Sequence, residues 1–287
     1  MRTALNLTNT NSSLLSRLIA GEKILDPVMI FVAHPDDETI GIGGRISCFE
    51  ALTLVHATNG APGWPGWIQK TGFDSAEAYS AARFSELDQA LHILGAHPVG
   101  HLRFNYTDGE LVQNLVELTE RLQVQLRGVS AVITHAYEGG HPDHDACAFA
   151  VQYATRRLLD SGVKSPQRIE FTSYVSLKKR FHAGSFWPDQ NTPGHIVRLI
   201  RNQRRLKKGA IKAFRTQKSV LKSFSVRREM YREAPHYDFR NPAPPGVWLY
   251  DTFGWPITGS DWLRYAGRAL EQLESSNQTN SSMTKGY

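Results

Sequence analysis

Two clusters of histidine and carboxylate side chains could carry chemistry in this sequence. The first, His34–Glu38, reads HPDDE, and the second, His141–Asp145, reads HPDHD. Carboxylates this close together repel one another unless a positive charge lies among them. Two histidines and one carboxylate around one ion form the ligand set of many catalytic zinc sites, with one position left for water. The two clusters therefore predict a metal site.

The clusters offer more candidate ligands than one ion needs, and the surplus could serve acid-base chemistry. Zinc lowers the pKa of water towards about 7 and polarises a carbonyl group. A neighbouring free carboxylate can take the proton from that water, and a neighbouring histidine can stabilise an oxyanion or protonate a leaving group. The pattern predicts metal-assisted hydrolysis, but it leaves open whether an amide, an ester or a phosphate is cut. A purely structural role is disfavoured, because two such groups at two strand ends are costly to keep.

Each cluster follows a short apolar run that is typical of a buried strand in a parallel sheet. These runs are Val28–Ala33 and Ala131–Thr134. Strand-like runs alternate with amphipathic helices in this half of the chain, including one that begins at Asp74 or Ser75 and ends at Leu94. This order predicts an α/β fold with a mostly parallel sheet and right-handed crossovers. Both clusters should then lie at the carboxyl edge of the sheet, where ligands bind in open α/β folds.

Some further helices and strands are predicted from hydrophobic patterns that are less regular. We expect a helix over Thr39–Glu50, a strand over Ile169–Ser176 and a helix over Lys207–Phe224. Residues 234–258 are rich in proline and aromatic residues and are predicted to be irregular. A closing helix is expected over Trp262–Leu273.

Composition is that of an ordinary globular protein, with 287 residues, 41% hydrophobic and 21% charged. No run approaches the roughly 18 apolar residues that a membrane span needs. The first twenty residues lack the apolar core of a signal peptide, so a cytoplasmic location is predicted. We expect one domain over residues 15–274, between flexible tails at residues 1–14 and 275–287.

Positive charge is concentrated in Arg198–Arg228, which holds twelve lysines and arginines and no acidic residue. Without these twelve, the net charge of +6 becomes −6. A solvated helix face is the favoured interpretation, and no nucleic-acid partner is expected. The alternatives are binding to nucleic acid or to an anionic membrane surface, or contact between Arg215 or Lys218 and an acidic group of a substrate.

Several segments resemble the motifs of a known enzyme family. Ala33–Gly44 (AHPDDETIGIGG) and Gly139–Ala146 (GGHPDHDA) are similar to the first and second motifs of the LmbE/PIG-L family of zinc-dependent N-acetylglucosaminyl deacetylases. Arg83–Glu86 resembles the R-x-x-E helix of the family, and Asp108–Leu111 resembles its D-G-x-L segment. Ala213–Gln217 resembles a helix that usually ends in a Ser-Gln pair. The similarity runs from about residue 28 to residue 217.

The resemblance implies a single-domain, Rossmann-like fold with helices on both faces of the sheet. It also implies a hydrolase that releases acetate, or another acyl group, from an N-acylated amino sugar or glycoconjugate. By position, His34, Asp37 and His144 would bind one Zn²⁺ per chain, and Asp36 would be the general base. The identity of the native metal, zinc, iron or cobalt, stays open. The alternatives are an amidase that cuts another amide, such as a thiol conjugate, and a basic nucleic-acid-binding or anion-binding module on an inactive hydrolase fold.

The resemblance assigns further roles around these residues. His141 would stabilise the oxyanion or act as the acid, and Asp143 would orient it. Arg83, Asp108 and Gln217 are the candidates for substrate binding. The expected partner is a small N-acylated sugar or glycoconjugate, and the sequence also allows a homo-oligomer.

Five residues near the motifs have alternative interpretations. Glu38 and Asp145 are favoured as supporting or helix-capping residues over metal ligands. His135 is favoured as a packed or supporting residue over one that contacts substrate. Trp64 and Trp67 are equally compatible with stacking on a sugar and with packing inside their loop.

Overall fold

The computed structural model describes residues 12–177, 180–187, 191–244 and 246–283. Within these residues the α-helices are α1 Leu14–Ala20, α2 Asp37–Ile42, α3 Ala76–Leu94, α4 Leu115–Gln125, α5 Pro142–Asp160, α6 Arg201–Ala213, α7 Lys218–Leu221, α8 Leu249–Phe253 and α9 Gly259–Met283. The strands are β1 Ile24–Val32, β2 Phe49–Pro62, β3 Gly100–Asp108, β4 Ala131–His135, β5 Gln167–Phe171, β6 Tyr174–Leu177, β7 Arg180–Ala183, β8 His195–Arg198 and β9 Arg228–Glu233. Short 3-10 helices cover Ile46–Cys48, Ile68–Lys70 and Leu111–Asn114.

Seven strands form the central sheet in the order β3-β2-β1-β4-β5-β9-β8. The first five in this order are parallel to their neighbours, and β9 is antiparallel to both β5 and β8. Strands β6 and β7 form a separate antiparallel hairpin. The predicted α/β fold with a mostly parallel sheet is confirmed.

Helices cover both faces of the sheet, as predicted. On one face, α4, α5 and α9 bury an apolar core that includes Phe31, Phe149 and Trp262. On the other face, α1, α3 and α6 pack over a second core that includes Ile30 and Leu87. Burial of a side chain of this size contributes roughly 1.5–3 kcal/mol, so the two cores hold the carboxyl edge of the sheet firmly in place.

The helix predicted over Thr39–Glu50 is shorter in the structure, because α2 ends at Ile42 and β2 already begins at Phe49. Gly44 leaves the helical pattern and donates its backbone N–H to Glu229 Oε1 over 2.7 Å. A Cβ atom at this glycine would lie 2.5 Å from Leu199. The chain therefore turns where α2 comes close to the antiparallel strands.

The strand predicted over Ile169–Ser176 is two strands in two sheets, β5 and β6. The break lies at Thr172 and Ser173, which donate to the buried Glu138 carboxylate over 3.0 and 3.1 Å. This carboxylate follows β4, so a contact between distant segments ends the strand. Periodicity along the chain contains no signal for it.

The helix predicted over Lys207–Phe224 is also interrupted, because α6 ends at Ala213 and α7 begins at Lys218. Between them, Thr216 donates its backbone N–H and its hydroxyl to the Glu86 carboxylate, with the hydroxyl at 2.6 Å. Helix α9 continues past Ser275, where the sequence predicts the C-terminal tail to begin. Residues 1–11 and 284–287 of the two predicted tails lie outside the described residues.

Two glycines allow the helical backbone to be tested without touching the core. A Cβ atom at Gly267, inside α9, would meet no atom within 4 Å. Gly267→Ala is therefore expected to raise the free energy of unfolding by about 0.5–1 kcal/mol, since alanine loses less backbone entropy on folding. Gly128 is equally free of neighbours but has φ +78°, so Gly128→Ala should destabilise. Urea titration of both variants measures the free energy of unfolding, which should rise in Gly267→Ala and fall in Gly128→Ala.

Candidate active site

The two sequence clusters meet at the carboxyl ends of β1 and β4, which are adjacent strands. Ile30 pairs with Ile133, so the segments that follow the two strands emerge side by side. Asp37 lies between the two predicted histidine ligands: its Oδ2 is 3.2 Å from His34 Nδ1, and its Oδ1 is 3.3 Å from His144 Nε2. His34 and His144 also offer ligand atoms within 4.8 Å of each other. The structure therefore brings all three predicted ligands together.

The first turn of α5 positions the side chains of the second cluster. Pro142 occupies the first turn, where its missing N–H costs nothing, and His141 is the N-cap. The His141 Nδ1 atom accepts a hydrogen bond from the Asp143 backbone N–H over 3.1 Å. Nδ1 is thus an acceptor, and the ring proton lies on Nε2, which is 4.0 Å from Asp108 Oδ1.

Asp36 has the conformation of a residue held under strain. Its φ is 156° and its ψ is −21°, outside the regions that L-residues ordinarily occupy. Backbone strain of this kind costs roughly 1–3 kcal/mol and concentrates at functional sites. Burial raises the pKa of Asp36 to about 7, against the opposing charge of Arg83. A carboxyl with a pKa near neutrality is suited to take up a proton.

Arg83 lies on α3 and holds Asp36 in place. Its guanidinium donates to Asp36 Oδ2 over 2.9 Å, to the Gly60 carbonyl over 2.7 Å and to the Pro35 carbonyl over 3.2 Å. The side chain is buried. These bonds give it a structural task that the sequence does not reveal, beside the predicted role in substrate binding.

Asp143 was predicted to orient His141, but its carboxylate is hydrogen-bonded to His34 and to two backbone N–H groups. It is fully buried, and its Oδ2 is 3.1 Å from His34 Nε2. The same carboxylate accepts the backbone N–H groups of Gly109 and Leu111 over 2.7 and 3.1 Å. Because the Asp143 carboxylate accepts hydrogen bonds, His34 donates to it from Nε2, and its Nδ1 atom faces Asp37. Asp143 thus acts on His141 through its backbone N–H and on His34 through its side chain.

His135 supports the other side of Asp37. Its Nε2 is 3.3 Å from Asp37 Oδ2, and its ring stacks on that of His144 with centroids 3.9 Å apart. Burial opposes ionisation of Asp37, but its close contacts with His144 and then His135 outweigh burial and hold the pKa of Asp37 well below its usual value. The contacts of His135 are those of the packed, supporting residue that the sequence favours.

The donor set fits a metal cation in two respects. First, His144 Nε2 is buried and makes no hydrogen bond, which is rare for a buried polar atom. Burial lowers the pKa of His144 to about 3, so the imidazole is neutral as metal binding requires. Second, four buried carboxylates surround the site and Arg83 is the one arginine or lysine paired with them in the described chain. These carboxylates are Asp36, Asp37, Asp108 and Asp143.

Asp108 and Gln217, two of the predicted substrate-binding residues, line the same cavity as the predicted ligands. Asp108 ends β3, and its carboxylate is 3.3 Å from His34 Nε2 and 3.7 Å from an Arg83 nitrogen. Burial opposes its ionisation, but the close contact with His34 outweighs burial and lowers the pKa of Asp108. Gln217 donates to the Tyr79 hydroxyl over 2.6 Å and lines the cavity described next.

A cavity of about 420 Å³ opens over these residues. Its floor is polar and includes His34, Asp36, Asp37, Arg83, Asp108, His141 and His144. Its outer part is apolar, with Ile40, Phe181, Val220, Leu221, Phe224 and Phe253. A smaller cavity of about 230 Å³ shares Trp64, Asp108, His141 and Trp255 with the first. The reacting centre therefore lies where an apolar arm and a tryptophan-lined arm meet.

The two tryptophans between β2 and α3, Trp64 and Trp67, differ in position. Trp64 lines both cavities, whereas Trp67 packs edge-on against Tyr79 with ring centroids 4.9 Å apart. Trp255 lines both cavities as well, and its ring lies 4.8 Å from that of His141. Trp255 was not predicted from sequence as a site residue. The aromatic, proline-rich composition of residues 234–258 was the one available indication that this segment could contribute to the site.

Glu38 and Asp145 hold neighbouring segments, in agreement with the interpretation favoured from sequence. Glu38 is fully buried and lies 3.1 Å from His56 Nε2. Asp145 accepts the backbone N–H groups of Glu138 and Gly139, each over 3.1 Å. Burial raises the pKa of Asp145 to about 8.

Comparison with known proteins agrees with the motifs. Residues 29–155 match the model of the family described as PIG-L: GlcNAc-PI de-N-acetylase. This range contains both clusters and the helix that carries Arg83. The enzyme class that the match indicates is that of N-deacetylase hydrolases. The resemblance to the LmbE/PIG-L family that the motifs suggested is confirmed over residues 29–155. A search of curated protein sequences gives no significant match.

Solved structures with the same fold have low sequence identity to this chain. The zinc-inhibited form of teicoplanin deacetylase Orf2 is 14% identical, with 74% of this chain and 99% of that chain covered and a TM-score of 0.54. The A40926 pseudoaglycone deacetylase Dbv21 is 19% identical, with 75% and 99% covered and a TM-score of 0.55. GalB, a 4-carboxy-2-hydroxymuconate hydratase from Pseudomonas putida KT2440, is 16% identical, with 75% and 98% covered and a TM-score of 0.50. One fold thus carries both deacetylases and a hydratase, so the activity must be argued from the site.

Proposed function

We propose that this protein is a metal-dependent N-deacetylase that removes an acetyl or related acyl group from an amino sugar or glycoconjugate. Water adds to the amide carbonyl, the C–N bond breaks, and a carboxylate and a free amine are released. His34, Asp37 and His144 would hold the metal, and Zn²⁺ suits their two imidazoles and one carboxylate. When bound, such an ion lowers the pKa of water and polarises the carbonyl of the amide.

The observation that carries this proposal is the position of Asp36. Its carboxylate lines the same cavity as His34, Asp37 and His144. Arg83 fixes its direction, and a carboxylate held in this place can accept a proton from water and return it later. A buried base that borders a metal site and faces a cavity is what amide hydrolysis requires.

His141 is the residue placed to meet the oxygen of the amide. Burial lowers the pKa of His141 to about 3, so the ring is neutral. Its proton lies on Nε2 because Nδ1 accepts the Asp143 N–H. A neutral imidazole that offers one N–H can stabilise negative charge on the carbonyl oxygen as it develops, and then assist departure of the amine.

The two arms of the site suggest how the substrate lies. Trp64 and Trp255 offer aromatic surfaces on which the apolar face of a sugar ring can pack. The apolar arm, bounded by Phe181, Leu221 and Phe224, suits an acyl chain or an apolar group attached to the sugar. We therefore infer an N-acylated glycoconjugate with an apolar portion, rather than a free monosaccharide.

Product analysis tests the proposed function. The zinc-loaded protein is incubated with N-acetylglucosamine and with octyl N-acetylglucosaminide, and released acetate and free amine are measured together. Equal amounts of both products are expected, more rapidly from the octyl compound, with loss of activity on chelation and recovery on addition of Zn²⁺. Absence of acetate from every N-acylated sugar tested, with metal bound, would refute the proposal.

Trp64→Ala is expected to lower kcat/KM by roughly 2- to 10-fold, mainly through KM, because an aromatic contact of this kind is worth about 0.5–1.5 kcal/mol. Trp67→Ala is the matched control, since that tryptophan lies in the same loop but packs on Tyr79. It should lower stability and leave KM unchanged. Steady-state kinetics on the octyl compound compare the two, and an equal rise of KM in both would exclude the assigned stacking role.

No described observation favours the alternatives of a thiol-conjugate amidase or an inactive binding module. Every group that hydrolysis needs is present in one cavity, and an inactive fold has no reason to retain a strained, buried Asp36.

A further inference from the structure

A further cavity, of about 670 Å³, lies on the α6–α7 side of the molecule. None of the proposed metal ligands lines it. It is called the basic groove here. Its floor is formed by Ile211, Phe214, Leu221, Phe224 and Val226. Its rim is formed by Lys208, Lys212, Arg215, Lys218 and Lys222. The proposed function uses none of these cations.

The cations of the rim are exposed and carry no compensating charge. All five are exposed, and none takes part in an ion pair between described residues. No carboxylate is found among the described residues that line the groove. Lys207, by contrast, turns inward and contacts Glu229 over 2.5 Å. The groove thus keeps a local excess of positive charge, which favours an anionic ligand.

The floor of the groove is apolar and therefore favours a ligand with an apolar portion. Phe214 and Leu221 are buried and belong to the core on this face of the sheet, so they are rigidly placed. Ile211, Phe224 and Val226 are only partly covered and present apolar surface to the groove. The volume falls within the roughly 300–1,000 Å³ that is usual for small-molecule sites.

We propose that the basic groove binds one anionic amphiphile, with its acidic head group on the lysines and arginine of the rim and its apolar chain on the floor. Charge complementarity selects the head group, and the apolar floor selects the chain. The site is independent of the proposed deacetylase activity. It shares the wall formed by Leu221 and Phe224 with the active-site cavity.

Two other anionic partners fit the groove less well. A nucleic acid would use the cations but would leave Ile211 and Val226 without a partner. A bilayer surface is bound by apolar side chains that project into it, whereas these side chains line a concave surface. A single chain with an acidic head uses both features.

Isothermal titration calorimetry with dodecyl phosphate, kept below its micelle-forming concentration, tests the proposal on the full-length protein. One molecule is expected to bind per chain. Inorganic phosphate and uncharged dodecyl maltoside should each bind at least about tenfold more weakly, because each lacks one of the two matching features.

The double variant Lys212→Glu and Lys218→Glu is expected to weaken dodecyl phosphate binding by about tenfold or more, since both substituted residues lie on the rim. Arg204→Glu with Arg205→Glu is the matched control: these exposed arginines belong to α6 but do not line the groove, and binding should be unchanged. Circular dichroism confirms that both variants are folded.

Three outcomes would overturn the proposal. Unchanged binding in the Lys212/Lys218 variant would place the amphiphile elsewhere, including in the active-site cavity. Equal affinity for inorganic phosphate would reduce the groove to a simple anion site. Binding to phosphatidylglycerol vesicles or to DNA without binding of monomeric dodecyl phosphate would identify a macromolecular surface instead.

Discussion

Asp36→Asn is expected to lower kcat by about 10²- to 10⁴-fold, the usual contribution of a positioned general base. The asparagine keeps the size of the side chain and can still accept the hydrogen bond from Arg83, but it cannot take up a proton. Asparagine also tolerates the unusual backbone angles at this position better than other residues do. Metal content should therefore stay equal to that of the parent protein.

Kinetics combined with metal analysis checks this expectation. Asp88→Asn serves as the control, because Asp88 is an exposed residue on α3 and the substitution removes the same charge. A parent-like kcat in Asp36→Asn would show that another group accepts the proton. Loss of the metal in this variant would instead make Asp36 a ligand.

His144→Ala is expected to lower metal affinity by more than about 100-fold, the upper end of what loss of a supporting residue around a metal costs. His144 is the one predicted ligand supplied by the second cluster, so alanine leaves only two ligands. Activity should fall to the level of the chelated parent protein. Competition with a chromogenic chelator measures the affinity.

Two other histidine variants sharpen this test. His135→Ala removes the ring that supports Asp37 and should weaken the metal by only about 10- to 100-fold. His92→Ala removes an exposed histidine from α3 and should have no effect. If His135→Ala cost more affinity than His144→Ala, the ligand set would be Asp37, His135 and one further group, and the assignment would be wrong.

Much of the site follows from sequence because its main parts lie directly after strands. The runs Val28–Ala33 and Ala131–Thr134 predicted two parallel strands, and the clusters behind them had to reach one edge of the sheet. The structure adds that β1 and β4 are immediate neighbours, which is what brings Asp37 to His144.

Contacts between distant, irregular segments could not be predicted in this way. Trp255 reaches the site from a proline-rich segment that has no periodic pattern. The Asp143 carboxylate turns to His34 and to the backbone at Gly109 rather than to the adjacent His141, and spacing along the chain says nothing about that choice.

The same limit applies to the fold. The parallel half of the sheet was predictable because each strand is a continuous apolar run with a helix after it. The ends of β5 and α6 could not be predicted in this way. Each element ends where the chain binds a buried carboxylate from a distant part of the sequence, Glu138 after β5 and Glu86 after α6.

The central claim is that His34, Asp37 and His144 hold a catalytic metal ion beside Asp36. Anomalous scattering at the zinc absorption edge, from crystals of the zinc-loaded protein, tests it most directly. We expect a single strong peak within about 2.0–2.2 Å of one atom from each of these three residues, with Asp36 close by but not bonded to the ion. A peak bonded to Asp108, His141 and Asp143, or to His135 in place of His34, would contradict it.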